Sequence, residues 1–78
     1  MRNRHPKFAA MIMSARKSAG MSTTELAFRL GVSEASVKFW ESGHVRPHVL
    51  RLEPIAKLLN IDKETMSVAY ANDNGEAA

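Results

Sequence analysis

Apolar positions along the 78-residue chain recur at intervals of three and four and nowhere alternate, so the pattern predicts helices and no strands. His5-Pro6 opens the first helix, with Pro6 where a missing N–H costs nothing. Phe8, Met11, Ile12, Ala15 and Ala19 form its inward stripe, and Gly20 stands where a left-handed cap ends it. Ser22-Thr23-Thr24-Glu25 opens the second helix: Ser22 caps it, and Glu25 completes a capping box. Leu26, Ala27 and Leu30 face inward, and Gly31 stops the helix. Ser33 caps a third helix, from Glu34 to Glu41 or Ser42, with Val37 and Trp40 inward and Ser42-Gly43 as its stop.

A loop over residues 44–48 follows. Proline in a helix interior costs about 3 kcal/mol, so the fourth helix is placed to begin near Arg51 or Leu52, with Pro54 in its first turn. Leu52, Ile55, Ala56 and Leu59 are its inward stripe. Asp62 caps a fifth helix over residues 63–71, with Met66 and Tyr70 on one side. The expectation is one all-α domain of five short helices over residues 7–71. A basic N-terminal arm over residues 1–6 precedes it, and a small polar tail over residues 72–78, expected to be disordered, follows.

Apolar residues are 45% and charged residues 24%, ordinary for a globular domain. Cysteine is absent, which removes disulfides, thiolate zinc sites and thiol nucleophiles and suits a reducing, cytoplasmic setting. The longest apolar run, residues 8–13, is far short of the about 20 residues a membrane span needs. Arg2 and Arg4 ahead of that run do not make a secretion signal, because Arg16 and Lys17 follow with no cleavage-type end. The net charge of +3 conceals a gradient. Residues 1–20 carry five bases and no acid, residues 21–60 are nearly balanced, and residues 61–78 are acidic. A basic front end on a small domain points to a polyanion, and nucleic acid is the usual one.

The informative stretch runs from Thr23 to Ser42. Counting Thr23 as the first position, Ala27 is fifth, where two crossing helices leave room for a methyl group. Gly31 is ninth, where the backbone turns left-handed without strain. Leu26, Leu30, Val32, Val37 and Trp40 supply the apolar contacts that lock the pair. This is the pattern of a DNA-binding helix-turn-helix, made of helices 2 and 3. The chain resembles the XRE family, the lambda repressor/Cro-like DNA-binding domains, over about residues 8–70. The residues that carry the resemblance are Ala15-Arg16-Lys17-Ser18-Ala19-Gly20-Met21-Ser22, Glu25-Leu26-Ala27, Gly31-Val32-Ser33, Val37, Trp40-Glu41-Ser42-Gly43, Arg46-Pro47 and Ile55-Ala56-Lys57-Leu58-Leu59.

The resemblance implies a compact lambda repressor-like domain whose third helix enters the major groove. Glu34, Ala35, Lys38 and Phe39 would face base edges: Glu34 toward a cytosine amino group, Ala35 or Phe39 toward a thymine methyl, Lys38 toward guanine or a phosphate. Lys17, Thr23, Ser33, Ser36, His44 and Arg46 would hold phosphates, helped by N–H groups at helix starts. Thr23 departs from the family, which often has a longer glutamine there. Glu34 has a second reading, as a negative charge that suits the helix dipole, and Phe39 as a partner contact. The family also pairs an arginine ending helix 1 with a glutamate ending helix 3, here Arg16 and Glu41.

The implied function is a sequence-specific regulator binding double-stranded DNA with a palindromic operator as a homodimer, a small repressor of phage or mobile-element type. One module buries too little surface for tight specific binding. The dimer interface is expected from Ile61, Met66, Val68, Ala69 and Tyr70. With no room for a ligand-sensing domain, regulation is expected from protein concentration, operator overlap or a partner protein. The alternative is an antitoxin or antirepressor-type subunit whose main contact is another protein, since Glu34, Ala35 and Phe39 are a weak hydrogen-bonding set for reading bases. No enzyme is expected, because a pocket of about 300 Å3 strains so small a core. No metal or other cofactor is expected either: His44 and His48 are four apart, but Pro47 sits between them and no carboxylate or cysteine joins them. Met11, Met13, Met21 and Met66 read as core fillers. The Arg2-Asn3-Arg4 arm reads as non-specific phosphate attraction at most.

Overall fold

Local signals set the helix ends. In the computed structural model, which describes residues 4–72, α1 spans Pro6–Ser18, α2 Thr23–Leu30, α3 Glu34–Glu41, α4 Leu52–Leu59 and α5 Lys63–Asn72. A short 3-10 turn, Val49–Arg51, leads into α4 and occupies the interval after the expected loop. Ser22 Oγ accepts the Glu25 N–H at 3.0 Å, Ser33 Oγ the Ser36 N–H at 3.1 Å, and Asp62 Oδ2 the Thr65 N–H at 3.0 Å. Each satisfies one orphan donor of a first helical turn. The Glu25 carboxylate pairs with Arg29 one turn on, at 3.0 Å. Gly31 sits at φ 73°, ψ 32° and closes α2, the conformation its position requires. The same left-handed turn ends α4 at Asn60, φ 58°, where the sequence reading named no cap. Pro54 lies in the first turn of α4, where its missing N–H has no helical acceptor to lose.

The helices pack in pairs: α2 on α3, α1 on α3, α4 on α5, and α1 on α5. Phe8, Ile12, Leu26, Val37, Ile55 and Met66 are the largest fully buried side chains, and Ala27, Trp40, Ala56 and Leu59 join them. Ala19 departs from the expected stripe. Helix α1 ends at Ser18, so Ala19 becomes the exposed C-cap, while Ala9 is the buried alanine. Met66 is the core filler expected of it, and this overturns its other expected part, in a dimer interface. It is 1% exposed and belongs to the chain's own core, so it is not available to a dimer interface. Tyr70 is likewise engaged internally: its ring meets Phe8 edge-on at 5.6 Å and its hydroxyl donates to the Pro47 carbonyl at 2.8 Å.

The expected arm boundary shifts. Pro6 belongs to α1, and the backbone N–H groups of Arg4 and His5 donate to the Gly43 carbonyl at 2.9 and 3.1 Å, tying residues 4 and 5 to the end of α3. The remainder of the arm (residues 1–3) and residues 73–78 of the expected tail lie outside the described residues. Asn72 is the last residue of α5. No helix among the described residues is long and apolar enough to cross a membrane.

Candidate nucleic-acid interface

Helix α3 buries Val37, Trp40 and Glu41 and leaves its other side uncovered. Ala35 and Lys38 are exposed, and Phe39 is 51% exposed despite its size. Helices α2 and α3 start side by side: the Thr23 hydroxyl donates to Glu34 Oε2 at 2.8 Å. Lys38 Nζ approaches the same oxygen at 3.7 Å. The Thr23 hydroxyl, then that of Thr24, outweigh slight desolvation and with Lys38 hold the Glu34 carboxyl below the usual carboxylate range. The leading charge of α3 is thereby paired with the same helix's lysine, and Thr23 spends its hydroxyl proton inside the protein. Ser33 Oγ serves as the α3 cap and lies 3.0 Å from Ser36 Oγ.

One helical step round, Phe39 stacks on the His44 ring, with centroids 5.8 Å apart and planes 24° apart. The His44 backbone N–H donates to the Phe39 carbonyl at 3.1 Å. The structure therefore gathers Thr23, Glu34 and Lys38 into one chain of contacts and Phe39 with His44 into a second, both on the uncovered side of α3. Lys17 stands exposed on the last turn of α1, and no hydrogen bond or ion pair ties it to this strip.

Arg46 goes elsewhere. Its guanidinium lies over the Tyr70 ring, 4.3 Å from the centroid, and Nη1 donates to the Tyr70 carbonyl. That carbonyl is in the last turn of α5, where acceptors lack helical donors, so the arginine caps α5 while stacking on it. Together with the Tyr70–Pro47 hydrogen bond, this pins the segment after α3 to α5. His48 also has a structural part: Nδ1 accepts the Leu50 N–H at 3.1 Å and caps the 3-10 turn. No group of three or more His, Cys, Asp or Glu side chains suited to a metal occurs among the described residues.

Arg16 and Glu41 meet beneath this surface. Arg16 Nε and Nη2 donate to the two carboxylate oxygens at 2.6 and 3.0 Å, and Nη1 donates to the Met21 carbonyl at 2.8 Å. Their side chains are 12% and 6% exposed. Hydrogen bonding to Glu41 holds the arginine above its ordinary pKa, against partial burial. The pair joins the ends of α1 and α3, and through Met21 it reaches the segment that enters α2. It therefore fixes how α3 stands on the domain.

A family model described as Helix-turn-helix matches residues 12–65, more than half of the chain. The chain belongs to the XRE family of helix-turn-helix proteins. No curated protein and no solved structure matches it. Membership in this family makes the chain a DNA-binding transcription regulator of XRE type with a lambda repressor-like all-α fold.

The sequence reading missed the Gly43 carbonyl as an anchor for residues 4 and 5, and the Arg46–Tyr70 clamp. Neither leaves a periodic signal, since each joins segments more than 20 residues apart.

Proposed function

We propose that the chain is a sequence-specific repressor, small and dimeric and of phage or mobile-element type, that binds a palindromic double-stranded operator. The observation that carries this reading is the uncovered outer face of α3, where Ala35, Lys38 and Phe39 stand clear of the core beside a capped helix start. Lys38 reads guanine or a phosphate, and Ala35 and Phe39 meet thymine methyl groups. Thr23, Thr24 and Lys38 all engage the Glu34 carboxylate, Thr23 and Lys38 at Oε2, so a cytosine amino group competes with these internal partners for it. The hydroxyls of Ser33 and Ser36, the His44 ring, Lys17 and the remaining donors of Arg46 hold the flanking phosphates.

Two copies set about one helical turn apart, roughly 34 Å, give the selectivity one module lacks. With Met66 and Tyr70 committed internally, the surface for the second copy falls to Val68, to the half-buried Ile61 and Ala69, and to two residues outside the expected set, Val49 and Leu50. Leu50 is 79% exposed. It rims a groove that also holds Glu53 and Lys63, which approach each other at 4.0 Å. A groove carrying one charge of each sign suits a two-fold interface, in which each patch meets its own duplicate.

The test is a salt titration of binding to the DNA upstream of the gene. With about six phosphates neutralised per dimer, log K falls against log salt with a slope near −5. Lys38→Ala weakens operator binding and leaves far-UV circular dichroism unchanged. Equal loss on random DNA makes Lys38 a phosphate contact only, and no operator binding at low salt removes the reading.

A further inference from the structure

A second surface lies between α2 and α4. Leu30, Pro54 and Leu58 line a groove of about 390 Å3, and its charged residues are Arg29 and Lys57. Leu58 also lines a neighbouring groove of about 380 Å3, bordered by Ala15, Ala19 and Ile61. Among the described residues, neither groove has an acidic residue in its lining. Volumes of this size are compatible with a 78-residue chain because the grooves are open clefts between helices rather than cavities in the core. On α4, Pro54, Lys57 and Leu58 share one face at i, i+3 and i+4, a second stripe beside the inward one of Leu52, Ile55, Ala56 and Leu59. Phe28, one residue before Arg29, is 84% exposed, the most exposed large apolar side chain among the described residues.

The charges choose among occupants. A second copy seated here by a two-fold axis sets Arg29 and Lys57 against their own duplicates, which like-charge repulsion disfavours. A nucleic acid satisfies the two cations but buries no leucine. An amphipathic helix with an apolar seam and acidic flanks satisfies both. We infer that this groove is a docking site for an acidic amphipathic helix of a partner protein, separate from the DNA-facing side of α3. The occupant lays its apolar residues on Leu30 and Leu58 and its carboxylates against Arg29 and Lys57, the helix-in-groove mode of recognition. Arg29 exchanges its intrahelical partner Glu25 for the incoming carboxylate.

The experiment uses the full chain, labelled with nitrogen-15, and two synthetic helical peptides of equal length. Both carry the same leucine seam; one is flanked by glutamates and the other by lysines. Titration with the glutamate peptide shifts the amide signals of Leu30, Lys57 and Leu58 saturably, and this peptide binds about tenfold more tightly than the lysine peptide. The double variant Arg29→Gln/Lys57→Glu, both changes at exposed positions, reverses the preference while melting as a folded domain. Equal binding of the two peptides overturns the inference. So do shifts confined to the Val49–Leu50 groove, or no saturable shift with either peptide. Operator binding, measured separately, reports on the DNA reading alone.

Discussion

Glu41→Gln removes the counter-charge from Arg16 while keeping the size of the side chain and one acceptor oxygen. In the native fold the guanidinium makes three hydrogen bonds, two of them to Glu41. Removing one partner of a buried pair destabilises by about 3–5 kcal/mol, because the other charge is left uncompensated. Here Arg16 keeps the Met21 carbonyl and one amide oxygen, and its 12% exposure admits some water. The expected loss is therefore about 2–3 kcal/mol, below the fully buried range. A domain of this length has a total stability of about 4–12 kcal/mol, and the expected loss lowers the melting temperature by about 8–24 °C. The assay is urea unfolding followed by fluorescence of the single tryptophan, Trp40, which is 5% exposed, with far-UV circular dichroism as a second probe. Arg16→Met/Glu41→Leu removes both charges and fills the space with apolar groups, so it should be more stable than Glu41→Gln. A Glu41→Gln stability within about 0.5 kcal/mol of wild type, or a double variant less stable than Glu41→Gln, refutes the reasoning.

Gly31→Ala isolates the backbone term of the turn. A Cβ there meets nothing within 4 Å, so only the φ of +73° opposes it. The expected loss is about 1–2 kcal/mol by denaturant titration, and a much larger loss contradicts a purely conformational cost. The Asp62 carboxyl is held below its ordinary range by the Thr65 N–H and then the Thr65 hydroxyl. A folded pKa below the unfolded one gives stability that is present above the unfolded value and lost as pH falls through the folded value. Thermal melts from neutral pH to below about 4 should therefore show the stability difference between wild type and Asp62→Asn, which caps without titrating, shrinking as acid is added. A constant difference rules out the cap as its origin. Leu50→Glu should leave the fold intact, because this side chain is exposed. It should shift sedimentation toward monomer and weaken operator binding, whereas a persistent dimer places the interface elsewhere.

The residues that were legible in the chain are those whose reason is local. Ser22, Ser33 and Asp62 cap the turn that follows them, Gly31 adopts a conformation its neighbours demand, and Val37 and Trp40 repeat at the helical period. Backbone donors and side-chain spacing within one or two turns are enough to set these, so the five helices and the helix-turn-helix follow from the order of residues alone. Asn60 is the local exception, a left-handed cap supplied by a residue other than glycine. Arg16 and Glu41 were paired through a family resemblance, and geometry shows the pairing to be bidentate.

What tertiary structure decided are the contacts for which several partners were chemically equivalent. Arg46 is a cation in a loop, and only the approach of α5 directs it to Tyr70 rather than into solvent. Met66 and Val68, two positions apart on α5, lie on different faces by periodicity, and the placement of α1 and α4 decides which face is covered. Thr23 meets Glu34 because α2 and α3 start side by side. Periodicity says that a side chain turns inward or outward, but not which distant group it meets. That depends on how the helices pack, and packing is settled by the whole core at once.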